Sequence, residues 1–357
     1  MKNFADVHVH FTKLKFDQIE QMLDIIASKG VTDVALQALT FRSIAYNLCG
    51  LYWKMNYKKM RLRLFGAIHL TDRYNKVPYE VQAEKLLSLG ADGIKFIDMC
   101  PDIYKMNKCG INHPKYDKLF ELLENRGVPV LIHSADPEEY WIAPKDYSDG
   151  TYPSKEQIYQ ETLARIEKHP NLKVVLAHFF FLSNFPERAA EVLDTHPNVF
   201  FDLTPGWEMY VGFSKDIEGW KKFFIKYSDR ILFGTDCNAT KNFNGEIFDL
   251  VYSALTHDHS VFNMPCYGGH EIRGLDLPEE VLEKICYKNY IAFAGEKIAP
   301  VDKKGFYECC KIVLNELKEN PYDEMYEYGK QFIKMLADDP EQRTAIDFLE
   351  KVLEDVK

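Results

Sequence analysis

The stretch "ADVHVH" (residues 5–10) lies near the start of the chain and places two histidines on an apolar run. Side chains alternate between the two faces of a β-strand, so His8 and His10 point to the same side, together with Asp6. Two adjacent imidazoles can bind one metal ion, but two buried histidines with other partners would give the same pattern. The stretch therefore predicts a strand, and the rest of the chain is needed to decide what its histidines do.

Seven further apolar runs, many of them rich in β-branched or aromatic residues, predict strands covered on both faces, as in a parallel sheet. They are residues 31–39, 63–70, 91–98, 128–134, 172–180, 198–204 and 230–236. Helix-like segments that end near Gly or Pro lie between them, at 16–30, 78–90, 115–127, 155–170, 185–197 and 219–228. Eight strands alternating with helices predict an α/β fold of the (β/α)₈ TIM-barrel type. A doubly wound open sheet is the competing fold, but "HVHFTKLKF" after the first strand lacks its glycine fingerprint.

The chain beyond the eighth strand reads as helical. Residues 246–257 predict the last barrel helix, and residues 278–295 predict one more helix behind a loop that contains Gly and His. From Pro300 onward the sequence is charged and helical in pattern. We expect a barrel domain over residues 1–298 and a helical C-terminal appendage over 299–357, which either covers the barrel or forms a contact in a homo-oligomer.

Composition narrows the function classes. A net charge of −10 argues against a nucleic-acid partner, since such proteins usually carry a basic face. No apolar stretch approaches the roughly 18–20 residues needed to span a bilayer, and no export signal precedes the first strand. The eight cysteines form no CxxC pair, so we expect reduced thiols in a cytoplasmic protein that acts on a small-molecule substrate.

Ionisable residues recur late in the predicted strands, where the active-site face of a parallel barrel forms. These residues are His8, His10, Lys95, His133, His178 and Asp236. Burying such groups without partners would cost about 2–7 kcal/mol or more each, so they must share partners, and one or two divalent cations would serve. A second pair of histidines, His257 and His259, lies in a polar loop after a helix pattern, and we expect it to be structural or to face substrate.

Five of these strand motifs carry a family resemblance. The segments "DVHVH", "GIKF", "LIHS", "LAHF" and "LFGTD" resemble the amidohydrolase superfamily, and most closely its branch related to aminocarboxymuconate-semialdehyde decarboxylase. The segment "LEKICYKNYIAFAG" is similar to the terminal helix of that branch. The resemblance extends over residues 4–297.

The resemblance implies a ligand set for the metal. It assigns His8, His10 and Asp236 as ligands, His133 as a further ligand, and His178 as a ligand or as an acid/base. Lys95 has two interpretations: carboxylated by carbon dioxide and bridging two metal ions, or unmodified and facing a substrate carboxylate. Imidazole and carboxylate ligands suit Zn²⁺ best, with one or two ions bound and Mn²⁺ as the alternative metal.

The leading functional hypothesis is a metal-dependent hydrolase in which a metal-activated water attacks a C–N or C–O bond of a small molecule. Asp236 would take the proton of the water, and His178 would stabilise the developing oxyanion or protonate the leaving group. Further residues are expected to line the substrate pocket, namely Lys95, Trp141, Trp207, Arg73 and Arg273.

Two alternatives stay open at this point. In a non-oxidative decarboxylase of a small unsaturated or aromatic carboxylic acid, a cation such as Lys95, Arg73 or Arg273 would meet the substrate carboxylate. In a catalytically inactive barrel the chain would be a binding module, and the complete ligand set argues against this.

Overall fold

Nine strand segments form one parallel sheet in the computed structural model, which describes residues 3–11, 14–39, 44–69, 77–206, 208–319 and 341–354. The segments are β1 (Phe4–His10), β2 (Val31–Gln37), β3 (Arg61–Ala67), β4 (Gly93–Met99), β5 (Val130–Ser134), β6 (Val174–Leu176), β7 (Val199–Asp202), β8 (Ile231–Leu232) and β9 (Cys237–Asn238). Neighbours along the chain pair in order from β1 to β8, while β9 pairs with β1. The predicted strands are confirmed, most of them shortened by a few residues at their ends.

The stretch 231–238 closes this sheet into a barrel. Its first half, β8, pairs with β7, and its second half, β9, pairs with β1. Between the halves the amide of Val7 donates to the carbonyl of Phe233 (3.1 Å), and the amide of Asp236 donates to the carbonyl of His8 (2.9 Å). A Cβ at Gly234 would lie 2.8 Å from Cγ2 of Thr204, so only glycine lets the chain pass there. The eighth predicted strand is therefore formed by two short segments, β8 and β9. The predicted TIM barrel is confirmed.

Fourteen α-helices accompany these strands in the described part of the chain. They are α1 (Phe16–Ser28), α2 (Ala45–Asn56), α3 (Tyr79–Leu89), α4 (Pro101–Asn107), α5 (Asp117–Asn125), α6 (Lys155–Glu167), α7 (Pro186–Thr195), α8 (Met209–Ser214), α9 (Ile217–Lys226), α10 (Glu246–Thr256), α11 (Glu279–Glu283), α12 (Asn289–Ala294), α13 (Lys303–Glu319) and α14 (Glu341–Glu354). Local signals set their ends. Ser154 caps α6 by accepting a hydrogen bond from the amide of Gln157 (3.1 Å), and α3 stops at Gly90 with φ of 109°.

Helix α2 was not predicted. Eight of its twelve residues are buried, so it lacks the alternation of apolar and polar faces by which a surface helix is recognised. Gly50 lies at its centre, where a Cβ would clash with the side chain of Leu64. The glycine that weakens the sequence pattern is thus the residue that allows α2 to approach β3.

Helix α12 closes the N-terminal end of the barrel. Tyr290 and Phe293 of α12 pack against inward-facing residues of the strands, including Phe65, Leu131 and Val175. Each fully buried side chain of this size contributes about 1.5–3 kcal/mol of hydrophobic stabilisation. The opposite, C-terminal end is left for polar groups.

The C-terminal helices pack on the outside of the barrel. Phe348 of α14 stacks on Phe16 of α1, with ring centroids 5.1 Å apart, and Leu349 and Val352 are fully buried. This confirms a helical C-terminal extension, while its status as a separate domain and the expected homo-oligomer contact stay predictions. In the part of the chain that the structure describes, no helix has the length and apolar character needed to cross a membrane.

Candidate metal centre at the mouth of the barrel

His8, His10 and Asp236 form a tight trio at the C-terminal end of the strands. Nε2 of His8 lies 3.0 Å from Nε2 of His10, and Oδ1 of Asp236 lies 3.2 Å from Nε2 of His10 and 3.5 Å from Nε2 of His8. Ligand atoms about 2.0–2.2 Å from a tetrahedral zinc ion are about 3.3–3.6 Å from one another. The spacing of the trio therefore fits a single divalent cation.

Nδ1 of His8 and Nδ1 of His10 both have hydrogen-bond partners. Nδ1 of His8 lies 3.0 Å from Oδ2 of Asp202, and Nδ1 of His10 lies 3.1 Å from the carbonyl oxygen of Gln37. Both partners are acceptors, so the proton of each neutral imidazole resides on Nδ1 and each Nε2 carries a lone pair. The two lone pairs, 3.0 Å apart beside a carboxylate, thus converge on one point where a cation would be held.

Asp202 is a site residue that the sequence analysis missed. Besides accepting from His8, it accepts at Oδ1 from the amide of His178 (2.8 Å) and from the hydroxyl of Thr204 (2.5 Å). It thus holds the ring of His8 and the backbone of His178 in place. The signal was available, because Asp202 ends an apolar strand in "NVFFDLT" in the same way as Asp236 follows "RILFGT".

Asp6 ties the first strand to the closing stretch. Its Oδ1 accepts from the amides of His8 and Thr235 (both 3.1 Å), and its Oδ2 accepts from the Thr235 hydroxyl (2.6 Å). Burial raises the pKa of Asp6 to about 7, against the lowering effect of these hydrogen bonds. The sequence placed Asp6 on the face of His8 and His10, and its structural role is to hold that face against the stretch that carries Asp236.

His133 and His178 lie beside the trio. The ring centroids of His178 and His8 are 5.6 Å apart, and Nε2 of His178 is 3.1 Å from Nδ1 of His133. On its other side His133 points Nε2 toward Oδ1 of Asp136, at 3.4 Å. The five predicted ligands therefore lie in one continuous cluster, in which the trio forms one group and His133 belongs to a neighbouring group with Cys100 and Asp136.

Lys95 is buried under the trio. Its Nζ lies 2.8 Å from Nε2 of His8, the same nitrogen that faces His10 and Asp236. Burial lowers the pKa of Lys95 to about 8, although Asp236 and Asp202 oppose the shift. The position suits either interpretation of this lysine, an ammonium group or a carbamate.

The protonation states of the cluster suit metal binding. Burial would raise the pKa of Asp236, but His8 and His10 outweigh it and hold this pKa well below the usual carboxyl range. Burial, together with Lys95, lowers the pKa of His8 well below its ordinary value, and burial beside His133 lowers that of His178 to about 4. At neutral pH Asp236 is therefore an anion and His8 and His178 are neutral imidazoles, which are the forms that bind metal ions.

The backbone adopts the left-handed conformation at three points that follow strands of the site. The residues are Ala135 (φ 67°) after β5, His178 to Phe181 (φ 51–55°) after β6, and Asp236 (φ 54°) between β8 and β9. Such conformations cost non-glycine residues about 1–3 kcal/mol each, and they cluster at functional sites. The turns direct His178 and Asp236 toward the barrel axis.

The predicted pocket residues have different fates. Trp141 lies in the turn Glu138–Trp141 after β5, where its indole donates to the carbonyl of Pro153 (3.0 Å). Arg273 is exposed on a hairpin of β10 (Val261–Phe262) and β11 (Ile272–Arg273), donates to the carbonyl of His259, and lies outside the cluster. Arg73 and Trp207 lie outside the described residues.

The second histidine pair lies on the surface. His257 contacts Asp258 (3.2 Å) and His259 contacts Glu218 (3.4 Å), and both rings remain more than one-third exposed. The trio thus differs from this pair in its shared inward direction.

Two further charged residues, Lys155 and Glu208, lie near the mouth, and Glu208 follows the seventh predicted strand. Nζ of Lys155, in the first turn of α6, lies 5.8 Å from the ring centroid of Phe181, which in turn is 5.7 Å from that of His133. Both carboxylate oxygens of Glu208 are buried without a hydrogen-bond partner among the described residues, and burial raises its pKa. These side chains give the wall beside His133 a buried cation and a buried acid.

Residues 5–293 match the family model described as Amidohydrolase. No curated protein matches the sequence. Among solved structures, an uncharacterized TIM-barrel protein from Bordetella bronchiseptica is similar at 15% identity and a TM-score of 0.53, covering 82% of this chain and 100% of its own.

Two solved enzymes are similar to the same degree. 5-Carboxyvanillate decarboxylase from Sphingomonas paucimobilis matches at 13% identity and a TM-score of 0.53, with 82% of this chain and 99% of its own covered. 4-Oxalomesaconate hydratase from Rhodopseudomonas palustris matches at 13% identity and a TM-score of 0.53, with 88% and 99% covered. At these identities the similarity concerns the fold alone.

Proposed function

The chain belongs to the amidohydrolase family of metal-dependent enzymes, and we propose that it is a hydrolase that cleaves a C–N or C–O bond of a small molecule. The observation that carries the proposal is the arrangement of His8, His10 and Asp236. Both imidazoles present lone pairs 3.0 Å apart, and the ionised carboxylate beside them retains 33% exposure of its side chain. A base at the open end of a metal centre is what water activation needs.

His8, His10 and Asp236 would hold the ion, with His133 and His178 available from the adjoining positions. Nitrogen and oxygen ligands at this spacing favour Zn²⁺, and Mn²⁺ is the alternative. When bound, such an ion supplies Lewis acidity, which makes water a nucleophile at neutral pH.

Asp236 and His178 would share the proton transfers. Asp236 is ionised at neutral pH and accepts the proton of the attacking water. The hydroxyl of Thr204 donates to Asp202 and therefore accepts from Nδ1 of His178 (3.0 Å), which leaves Nε2 of His178 as its basic nitrogen. After taking a proton at Nε2, His178 can deliver it to the leaving group.

Lys95 has two roles that remain to be distinguished. As an ammonium it would face a substrate carboxylate, and as a carbamate it would supply oxygen ligands for a second ion. Incubation with ¹³C-bicarbonate distinguishes them, because only a carbamate gives a new carbonyl resonance in the ¹³C NMR spectrum that Lys95→Met removes.

The second candidate is a non-oxidative decarboxylase. A buried cation favours it, since Nζ of Lys95 lies 2.8 Å from Nε2 of His8 and a substrate carboxylate needs such a partner, whereas Lys155 already pairs with Glu138 (3.3 Å). Lys95 also keeps a proton at neutral pH, which the carbon that loses carbon dioxide must receive. The fold similarity to 5-carboxyvanillate decarboxylase is in keeping with this candidate.

One experiment tests the proposal and separates the two reactions. The purified protein is stripped of metal, restored with Zn²⁺ or Mn²⁺, and assayed on amides, esters and lactones, and for ¹³CO₂ release from labelled aromatic and unsaturated carboxylic acids. We expect metal-dependent hydrolysis without ¹³CO₂. Metal-dependent ¹³CO₂ release would establish the decarboxylase instead, and a protein without affinity for either metal would contradict both reactions and favour a binding module.

A further inference from the structure

A second group of metal-ligating side chains lies on the outer side of His133. Cys100 follows β4 and immediately precedes α4, His133 lies in β5, and Asp136 follows β5 by two residues. One ligand atom from each lies within 4.8 Å of the other two. None of the functions discussed above uses Cys100 or Asp136.

Hydrogen-bond directions in this group bring two acceptors, Nε2 of His133 and Oδ1 of Asp136, to face each other. Nδ1 of His178 donates to Thr204, so Nε2 of His178 carries a lone pair. Nε2 of His178 lies 3.1 Å from Nδ1 of His133, and this contact therefore requires Nδ1 of His133 to donate. Neutral His133 then presents a lone pair at Nε2, and this nitrogen faces Oδ1 of Asp136 at 3.4 Å. A lone pair opposite a carboxylate requires a positive charge between them, which is either a proton or a cation.

The distances favour a metal cation over a proton. An imidazole N–H donates to a carboxylate best at about 2.7–2.9 Å, and the 3.4 Å between His133 and Asp136 is long for that bond. Sγ of Cys100 lies 3.7 Å from Oδ2 of Asp136. The 3.4 Å between Nε2 of His133 and Oδ1 of Asp136 equals the spacing of two ligand atoms about 2.1 Å from a tetrahedral zinc ion, while Sγ of Cys100 approaches the other oxygen of the same carboxylate.

The surroundings hold the carboxylate and leave a way in. The hydroxyl of Tyr147 donates to Oδ2 of Asp136 (2.8 Å), a bond of the kind that orients ligands from outside a metal site. The left-handed turn at Ala135 places Asp136 beside His133 in space. His133 and Asp136 keep 15% and 18% exposure of their side chains, so an ion can reach them from solvent.

We propose that Cys100, His133 and Asp136 form a second cation site, selective for a metal that accepts a thiolate, an imidazole and a carboxylate, with Zn²⁺ the best match. Binding removes the thiol proton of Cys100 to solvent and forms the metal–sulfur bond. A cation on Nε2 of His133 also keeps the proton on Nδ1, where it donates to His178. The second site would thereby hold the ring of His133 against His178.

Cobalt spectroscopy of the full-length protein tests this without substrate. The trio offers only nitrogen and oxygen, whereas Cys100 would give Co²⁺ a thiolate ligand and hence an intense thiolate-to-cobalt charge-transfer band in the near ultraviolet. We expect wild-type protein titrated with Co²⁺ to show this band and to bind one more equivalent of metal than Cys100→Ser. The control variant Cys266→Ser, which removes an exposed cysteine elsewhere, should retain both the band and the extra equivalent.

Two further variants separate this site from the trio. Asp136→Asn should abolish the thiolate band. His8→Gln should lose the equivalent of cobalt that the trio binds but should retain the thiolate band. The inference is overturned if metal-saturated wild type shows no thiolate band, a result that depends on no variant, or if the band survives Cys100→Ser. Either outcome would mean that His133 and Asp136 are joined by a hydrogen bond and not by a metal ion. Neither outcome would contradict metal-dependent catalysis by the trio.

Discussion

The two ends of the barrel both bury charged side chains, but the groups are satisfied in different ways. At the N-terminal end, Asp33 accepts from Arg63 (3.4 Å) and Arg61 (2.7 Å), and Arg63 also donates to the carbonyl of Gly295. At the mouth, by contrast, lone pairs of His8 and His10 face each other beside the anion Asp236. A buried charge that meets its opposite stabilises the fold, whereas nitrogen and oxygen acceptors that converge on one point form a binding site for a cation.

The largest effect that sharpens this contrast is expected at the mouth. Asp236→Asn removes both a ligand and the base, so we expect kcat/KM to fall by about 10²–10⁴-fold. The free energy of unfolding of the metal-free protein should also fall, because the lowered pKa of Asp236 means that the fold stabilises its carboxylate. Steady-state kinetics and urea unfolding of the same preparations measure both. Full activity in this variant would contradict the role of Asp236.

The reciprocal effect is expected at the N-terminal end. Asp33→Asn leaves Arg63 buried without its anion, which should lower the free energy of unfolding by about 3–5 kcal/mol. Activity per folded molecule should stay unchanged, because Asp33 lies at the end of the barrel away from the trio. The control is Asp229→Asn, which removes an exposed ion pair with Lys284 and should cost about 0–1 kcal/mol. Equal losses in the two variants would break the contrast.

The metal-free mouth should also be sensitive to acid. The pKa of His178 is about 4 in the fold and about 6.5 when unfolded, so the unfolded chain binds a proton that the folded chain resists. Stability from this residue is complete above pH 6.5 and is lost as the pH falls toward 4, by about 1–3 kcal/mol. Urea unfolding of chelator-treated protein should give a shallower pH dependence for His178→Gln than for wild type. His113→Gln, an exposed histidine, should leave it unchanged.

The smallest effect concerns a residue behind the trio. Asp202→Asn weakens the acceptor for Nδ1 of His8, so the affinity for Zn²⁺ should fall by about 10–100-fold while the protein stays folded. Asp98→Asn is the matched control, because Asp98 is an equally buried carboxyl that binds the hydroxyl of Tyr116 (2.6 Å) outside the cluster. Competition with a chromophoric chelator gives both affinities. If the two variants bind zinc equally well, Asp202 does not orient His8.

Elements with a local sequence pattern could be predicted, and elements that depend on distant partners could not. Apolar runs and the glycines and prolines that end helices predicted the barrel, because strands covered on both faces leave a local signature in composition. Helix α2 escaped, since it is buried nearly all round and has no polar face. The division of the eighth strand into β8 and β9 was also not predicted, because β9 pairs with β1, more than two hundred residues away in the sequence.

The site was predictable where a residue's place on a strand decides its direction. His8, His10 and Asp236 could be grouped because the carboxyl ends of parallel strands converge, and Asp202 satisfies the same rule. Lys155 and Cys100 could not be found in this way. Lys155 lies in the first turn of a helix and Cys100 just before one, and what brings each of them toward His133 is the packing of that helix on the barrel, for which one sequence offers no local signal.

The measurement that tests the central claim most directly is a crystal structure of zinc-loaded protein with anomalous data collected on both sides of the zinc edge. We predict an anomalous peak in contact with Nε2 of His8, Nε2 of His10 and a carboxylate oxygen of Asp236. Anomalous maps from fully loaded protein that place no metal between these three side chains would contradict the account.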